Sequence, residues 1–329
     1  MKKDISVSVI RLFAMLMIIS CHILQGLNNK WAFWVNVGVQ IFFFISGFLY
    51  GKKDIDNIKT FYVGRLKKIL LPYVTLLTIV LIIEKIFLKS HYSLTLLVGS
   101  YLGFGGFNGN SPILSHTWFL SYILFCYLLT PIFQKILSND NFKKDSFYFI
   151  FLIIFLQLLQ EFHVLEINVS WINNYLIGYF YSRCCKNIKD QKKTELAFIL
   201  VSFLIIPLAI IYQENINISA FIPNIITNHS ILIMQYGHVL LGTLIFILFY
   251  KLLNHCSIKN NVILQYSDKY SFYIYLVHQI FILNSFSILF LTKYLLINII
   301  LILLLSFLTG MLLKYLNDGI LKLKILHRL

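Results

Sequence analysis

Arg11 and His22 stand eleven residues apart in an otherwise apolar stretch, residues 5–26. On an α-helix eleven residues turn about 1100°, three turns plus about 20°, so both side chains leave one face, with about 16 Å of rise between them. A neutral imidazole can take a proton from a hydroxyl and return it to a leaving group. It can also carry an acyl group itself. A guanidinium suits carboxylate and phosphate oxygens. A charge at mid-bilayer costs at least ~2.5–3.5 kcal/mol on insertion scales, and such residues usually face a bundle interior or a wet cavity. The alternative is that Arg11 snorkels to the inner surface and His22 to the outer one; the pair alone fits both.

Other polar side chains sit in apolar surroundings. Ser271, Tyr275 and His278 fall at i, i+4 and i+7 and share a helix face. Such a stripe serves hydrogen bonding between helices or a catalytic set. Gln235 and His238 repeat the theme at i, i+3. His116 and Trp118 stand at the mouth of another apolar run, where a Trp commonly anchors a helix to the interface. The connector 51–73, GKKDIDNIKTFYVGRLKKILLPY, carries Lys52, Lys53, Lys59, Arg65, Lys67 and Lys68. It orients the chain and meets anionic lipid, or it docks the phosphates of an anionic cytosolic donor such as coenzyme A.

The elements that must position these residues are membrane helices. Hydrophobic residues make up 59% of the 329-residue chain and charged residues 12%, against roughly 25% charged in soluble domains. Apolar runs of about 20 residues, the length of a span, fall near 5–26, 32–51, 69–88, 117–137, 146–165, 168–183, 196–212, 229–250, 270–291 and 294–316. The expected fold is all-α: a polytopic membrane protein of about ten transmembrane helices, one domain over 1–329, with both termini cytoplasmic. The segment 92–107 is too short and glycine-rich to cross, which predicts a re-entrant or surface piece.

Charge supports that count. The formal net charge is +15, and the basic residues lie between apolar runs, as orientation in a membrane requires and nucleic-acid binding does not. With ten spans, only Lys30, Lys85, Lys89 and Lys293 fall outside and Arg11 within a span; the other Lys and Arg, from Lys2 and Lys3 to Lys324 and Arg328, fall inside. A crossing at 92–107 would reverse everything after it. The first run, long and carrying Arg11, reads as a retained helix rather than a signal peptide. The five cysteines show neither a disulfide framework nor metal-ligand spacing. No Walker loop, dinucleotide fingerprint, Gly-x-Ser-x-Gly elbow or zinc-protease helix is present.

Four segments in order resemble acyltransferase family 3 of integral-membrane proteins: IRLFAMLMIISCH (10–22); VGVQIFFFISGFL (37–49) with FYVGRLKKILLPY (61–73); HTWFLSYILFCYLLTP (116–131); and YSFYIYLVHQIF (270–281). The resemblance covers essentially the whole chain. It implies an acyl donor, usually acetyl-CoA, used from the cytoplasm, and an acceptor hydroxyl on a surface polysaccharide or lipid-linked sugar. It implies His22 as the catalytic residue, Arg11 as its partner on the donor path, and Arg65 with Lys68 as the coenzyme A contact. Ser46, Trp118 and His278 fall on family motifs, and Trp118, Tyr275 and His278, beside His116, are candidates on the substrate or oxyanion side. Many members that modify O-antigen carry a Glu where this chain has Ile123; HTWFL is similar instead to the subgroup acting on common antigen and Gram-positive polysaccharides. The implied setting is a bacterial plasma membrane, with lipid and polysaccharide-assembly proteins as partners, no metal and no nucleic acid. The competing reading is an exporter or flippase for a polysaccharide or small metabolite, without acyl chemistry.

Overall fold

Apolar runs in lipid satisfy their peptide groups internally only as helices or closed barrels, and this chain takes the helical course. The structure is a computed structural model describing residues 4–109, 111–138, 140–214, 229–256, 258–259 and 261–326. It is 80% helix, with no strand among the described residues. Lys2, Lys3 and Arg328 lie outside them, as does the side chain of Lys324.

In chain order the helices are α1 (Ile5–Gly26), α2 (Ala32–Val35), α3 (Val37–Gly51) and α4 (Ile58–Arg65). A π turn, Leu66–Leu70, joins α4 to α5 (Leu71–Phe87); α6 (Leu94–Tyr101) and α7 (Gly105–Asn108) follow. A 3-10 segment, Pro112–Thr117, leads into α8 (Trp118–Ile136). Then come α9 (Phe142–Glu161), α10 (Ser170–Arg183), α11 (Ile188–Gln213), α12 (Ser230–His255), α13 (Val262–Val277) and α14 (Leu295–Leu326). Seven helical stretches among the described residues are long and apolar enough to cross a membrane: 5–26, 32–51, 58–87, 112–136, 188–213, 230–255 and 295–323. Of the ten expected, α9 opens on Lys143, Lys144 and Asp145. The 14 residues of α10 and 16 of α13 reach about 21 and 24 Å, short of the roughly 30 Å hydrocarbon core.

One apolar run ends earlier than the sequence reading placed it. The ninth apolar run, expected as a helix over 270–291, is helical from Val262 to Val277 and closes in a 3-10 turn, His278–Phe281. Residues 282–294 contain no helix. Asn284 there has a positive φ of 77°, and buried Asn298 donates to the carbonyls of Leu289 and Thr292 at 2.9 and 2.8 Å. That side chain supplies partners the missing helix would have supplied. The segment 92–107 holds two short helices, α6 and α7, neither long enough to cross.

The chain divides into two compact units. The first takes residues 1–14, 36–55 and 129–259. Its centre is α3 against α10, which approach until a Cβ placed on Gly47 would lie 1.9 Å from the Tyr175 carbonyl oxygen. Close backbone contact of this kind is how helices pack where the hydrophobic effect cannot drive them together. Asn174 on α10 donates to both the backbone carbonyl and the side-chain oxygen of Gln40, at 2.6 and 2.8 Å. Phe44, Phe48, Phe246 and Tyr250 stack in series beside it. His238 is buried in this unit.

The second unit takes residues 15–35, 56–128 and 260–329. Here α14 packs on α13 with Gly310 against the backbone of Ile274, and Thr75 on α5 donates to Asn317 on α14 at 3.2 Å. This unit carries the histidines of interest.

Candidate active site

A helix end leaves its last carbonyls without backbone partners. At the end of α13 imidazoles answer two of them. His116 Nε2 lies 3.1 Å from the carbonyl oxygens of both Tyr275 and Leu276. A carbonyl only accepts, so Nε2 carries the proton and donates. His278 Nδ1 donates to the same Tyr275 oxygen at 2.6 Å. His22 Nδ1 donates to Gln25 Oε1, one helical turn on, at 2.7 Å. One nitrogen of each ring is thereby fixed as a donor, and in the neutral rings lone pairs remain on Nε2 of His22, Nδ1 of His116 and Nε2 of His278. The last two are buried and meet no hydrogen-bonding group of the protein.

The three rings form one cluster. Their centroids are 5.2 Å apart for His22 and His278, 5.1 Å for His116 and His278, and 6.3 Å for His22 and His116. His116 and His278 are 3% and 0% exposed, whereas His22 is half-buried. The backbone between them is pinned as well. Gln279 Oε1 accepts from the His116 N–H at 2.9 Å. The Tyr275 hydroxyl donates to the His116 carbonyl at 2.7 Å.

Further contacts fix the 3-10 segment that bears His116. At its start Ser111 Oγ donates to Glu84 Oε1 of α5 at 2.7 Å, with both residues buried. At its end α7 lies on the first turn of α8, where the Gly106 N–H donates to Ser121 Oγ at 2.8 Å. A Cβ on Gly106 would stand 2.6 Å from the Trp118 carbonyl oxygen, so only glycine permits the approach. Trp118 is half-buried, its ring edge-on to Tyr122 at 5.6 Å.

The residues singled out in the sequence are thus sorted. His22, His116, Tyr275 and His278 come together, and Trp118 follows His116 by two residues. The Tyr275 hydroxyl and the His278 Nδ1–H, considered as oxyanion donors, are engaged with carbonyls. Arg65 and Lys68 sit at the π turn. The Arg65 guanidinium lies 6.0 Å from the ring centroids of both Phe61 and Tyr127, and Lys68 is exposed. Tyr127 stands on α8 eleven residues after His116, about 17 Å along the 3-10 and α-helical rise. Arg11 and Ser46 belong to the first unit, while the cluster is built from second-unit residues. Sequence reasoning did not single out Gln25, Gln279 or Glu84. The first two carried a signal, one at i+3 from His22 and one next to His278; Glu84 carried none. Among the described residues no group of three or more His, Cys, Asp or Glu is arranged to hold a metal ion.

A family model described as an acyltransferase domain, that of acyltransferase family 3, matches residues 4–316, nearly the whole chain. No curated protein and no solved structure matches the chain.

Proposed function

The chain belongs to acyltransferase family 3, and on that premise we propose that it moves a short acyl group, acetyl first, from cytosolic acyl-CoA to a hydroxyl of a cell-surface polysaccharide or lipid-linked sugar in a bacterial plasma membrane. The observation that carries this reading is the imidazole cluster: His22, held by Gln25 through Nδ1, presents an unprotonated Nε2 on the half-buried side of two enclosed histidines. Nε2 takes the acceptor's hydroxyl proton as the oxygen attacks the thioester carbonyl carbon. The C–S bond then breaks, the acyl group stays on the sugar oxygen, and the imidazolium returns its proton to the departing thiolate. The partial negative charge at the end of α13 offsets the positive charge that develops on the rings. Trp118, at the start of α8, lines the acceptor side.

The donor enters from the cytoplasm. Arg65 and Lys68 take its phosphates, and the roughly 17 Å of α8 and 3-10 segment between Tyr127 and His116 is a distance an extended pantetheine arm covers. Arg11 keeps its place on the donor path, and Ser46 its substrate-side place, through the family resemblance alone. In this arrangement α9, α10 and α13 join the seven span-length stretches as ten crossings, with both termini cytoplasmic, a placement the basic connectors support.

The test is donor turnover by purified protein. With acceptor present it should release free thiol from acetyl-CoA, which an exporter would not do. His22→Ala should cut that rate by about 10²–10⁴-fold with the protein still inserted and monodisperse. Full activity in this variant removes His22 as the base.

A further inference from the structure

In the first unit an apolar groove of about 610 Å³ opens between α9, α10, α11 and α12. Phe149 stacked on Phe180, with ring centroids 4.3 Å apart, forms its floor, and Ala197, Val201 and Val239 line its sides. Its one cationic lining residue is Lys193, which also lines a shallow surface cavity with Lys189 and Lys192. Hydrocarbon-lined space and a basic rim therefore meet at a single side chain.

Length places that rim at a definite depth. The 26 residues of α11 reach about 39 Å, beyond the roughly 30 Å hydrocarbon core. The surplus falls on the first turns, since the apolar run of α11 begins at Leu196. Lys189, Lys192 and Lys193 then stand at headgroup level. From Lys193 to Ile205 the groove follows α11 for about 18 Å, and from Phe142 to Ile153 it follows α9 for about 16 Å, each about the depth of one leaflet.

The local carboxylates do not neutralise the rim. Asp190 accepts from the Asn187 amide, and Glu195 is held by the Tyr181 hydroxyl and Lys251. Among the described residues none of the three ammonium groups is paired with a carboxylate. We propose that this groove binds one anionic glycerophospholipid, its phosphate on Lys189, Lys192 and Lys193 and one acyl chain along Phe149 and Phe180. A zwitterionic lipid fills the groove but leaves the cations unmatched. A free phosphate matches the cations but leaves the groove unused.

The test uses the full chain in nanodiscs of phosphatidylcholine containing a minority of phosphatidylglycerol, with lipid retained on detergent extraction measured by mass spectrometry. Wild type should retain phosphatidylglycerol selectively. Replacing the three lysines by glutamine should weaken that retention on the order of 100-fold and leave phosphatidylcholine unchanged. Ala197→Trp, which fills the groove and keeps every charge, should also abolish it. Both variants are compared as monodisperse protein with wild-type helix content. Undiminished phosphatidylglycerol retention in either variant, retention without regard to headgroup charge, or displacement of the lipid by inorganic phosphate overturns the proposal. Thiol release is not the readout, so the result is independent of the acyl-transfer assignment.

Discussion

At the residue scale the chemistry rests on which ring nitrogens hold protons, and hydrogen bonds decide that. The single carbonyl of Tyr275 accepts from both His116 and His278, which fixes two tautomers at once. Gln25 does the same for His22. Gln25→Leu should leave the His22 ring free to turn. A hydrogen bond of this kind is worth about 1 kcal/mol net, so kcat for thiol release should fall about fivefold with KM for acyl-CoA unchanged; a wild-type kcat would show that Gln25 does not orient the ring. His22, His116, Tyr275 and His278 were each legible as polar residues in apolar helices. Their meeting was not, because it depends on the tertiary packing of three segments far apart in sequence. Nor was the role of Tyr275, whose backbone oxygen accepts from two imidazoles while its hydroxyl, expected on the oxyanion side, donates to the His116 carbonyl.

At the element scale the helices were legible from apolar run length, and their ends less so. Runs such as 5–26 and 32–51 emerge with almost unchanged bounds because length and hydropathy alone define them. The 270–291 run failed because an apolar stretch can be irregular where a buried amide such as Asn298 satisfies its carbonyls. Within the basic connector 51–73, residues 58–65 form α4, which runs through the π turn into α5. Gly47→Ala drives a methyl into the backbone of Tyr175, and since backbone cannot give way as a side chain can, the variant should lose about 1–3 kcal/mol of stability, read as a lower midpoint of thermal unfolding in detergent. Arg65→Ala with Lys68→Ala should raise KM for acyl-CoA with little change in kcat; an unchanged KM would return those charges to membrane orientation.

At the scale of the whole molecule, the proposed ten-crossing arrangement, argued from the basic connectors, places both ends on one side of the membrane. Tags appended at both ends should be cleaved by protease in inside-out vesicles and protected in right-side-out ones. Protection of one end in each preparation would mean an odd number of crossings and would remove the ten-helix arrangement. The division into two units was not legible at all, because α1 and α8 each pass from one unit to the other within a single unbroken apolar run. One local irregularity also reaches this scale. The π turn at Leu66–Leu70 inserts a residue into a rod that would otherwise be uniform, and each residue of helix is worth about 100° of rotation. The side chains before it, Arg65 among them, are thus swung by roughly a quarter of a circle relative to those from Tyr73 onward. Which way the cationic end of that rod aims, while its greasy end keeps its own heading, comes down to the presence of a single codon.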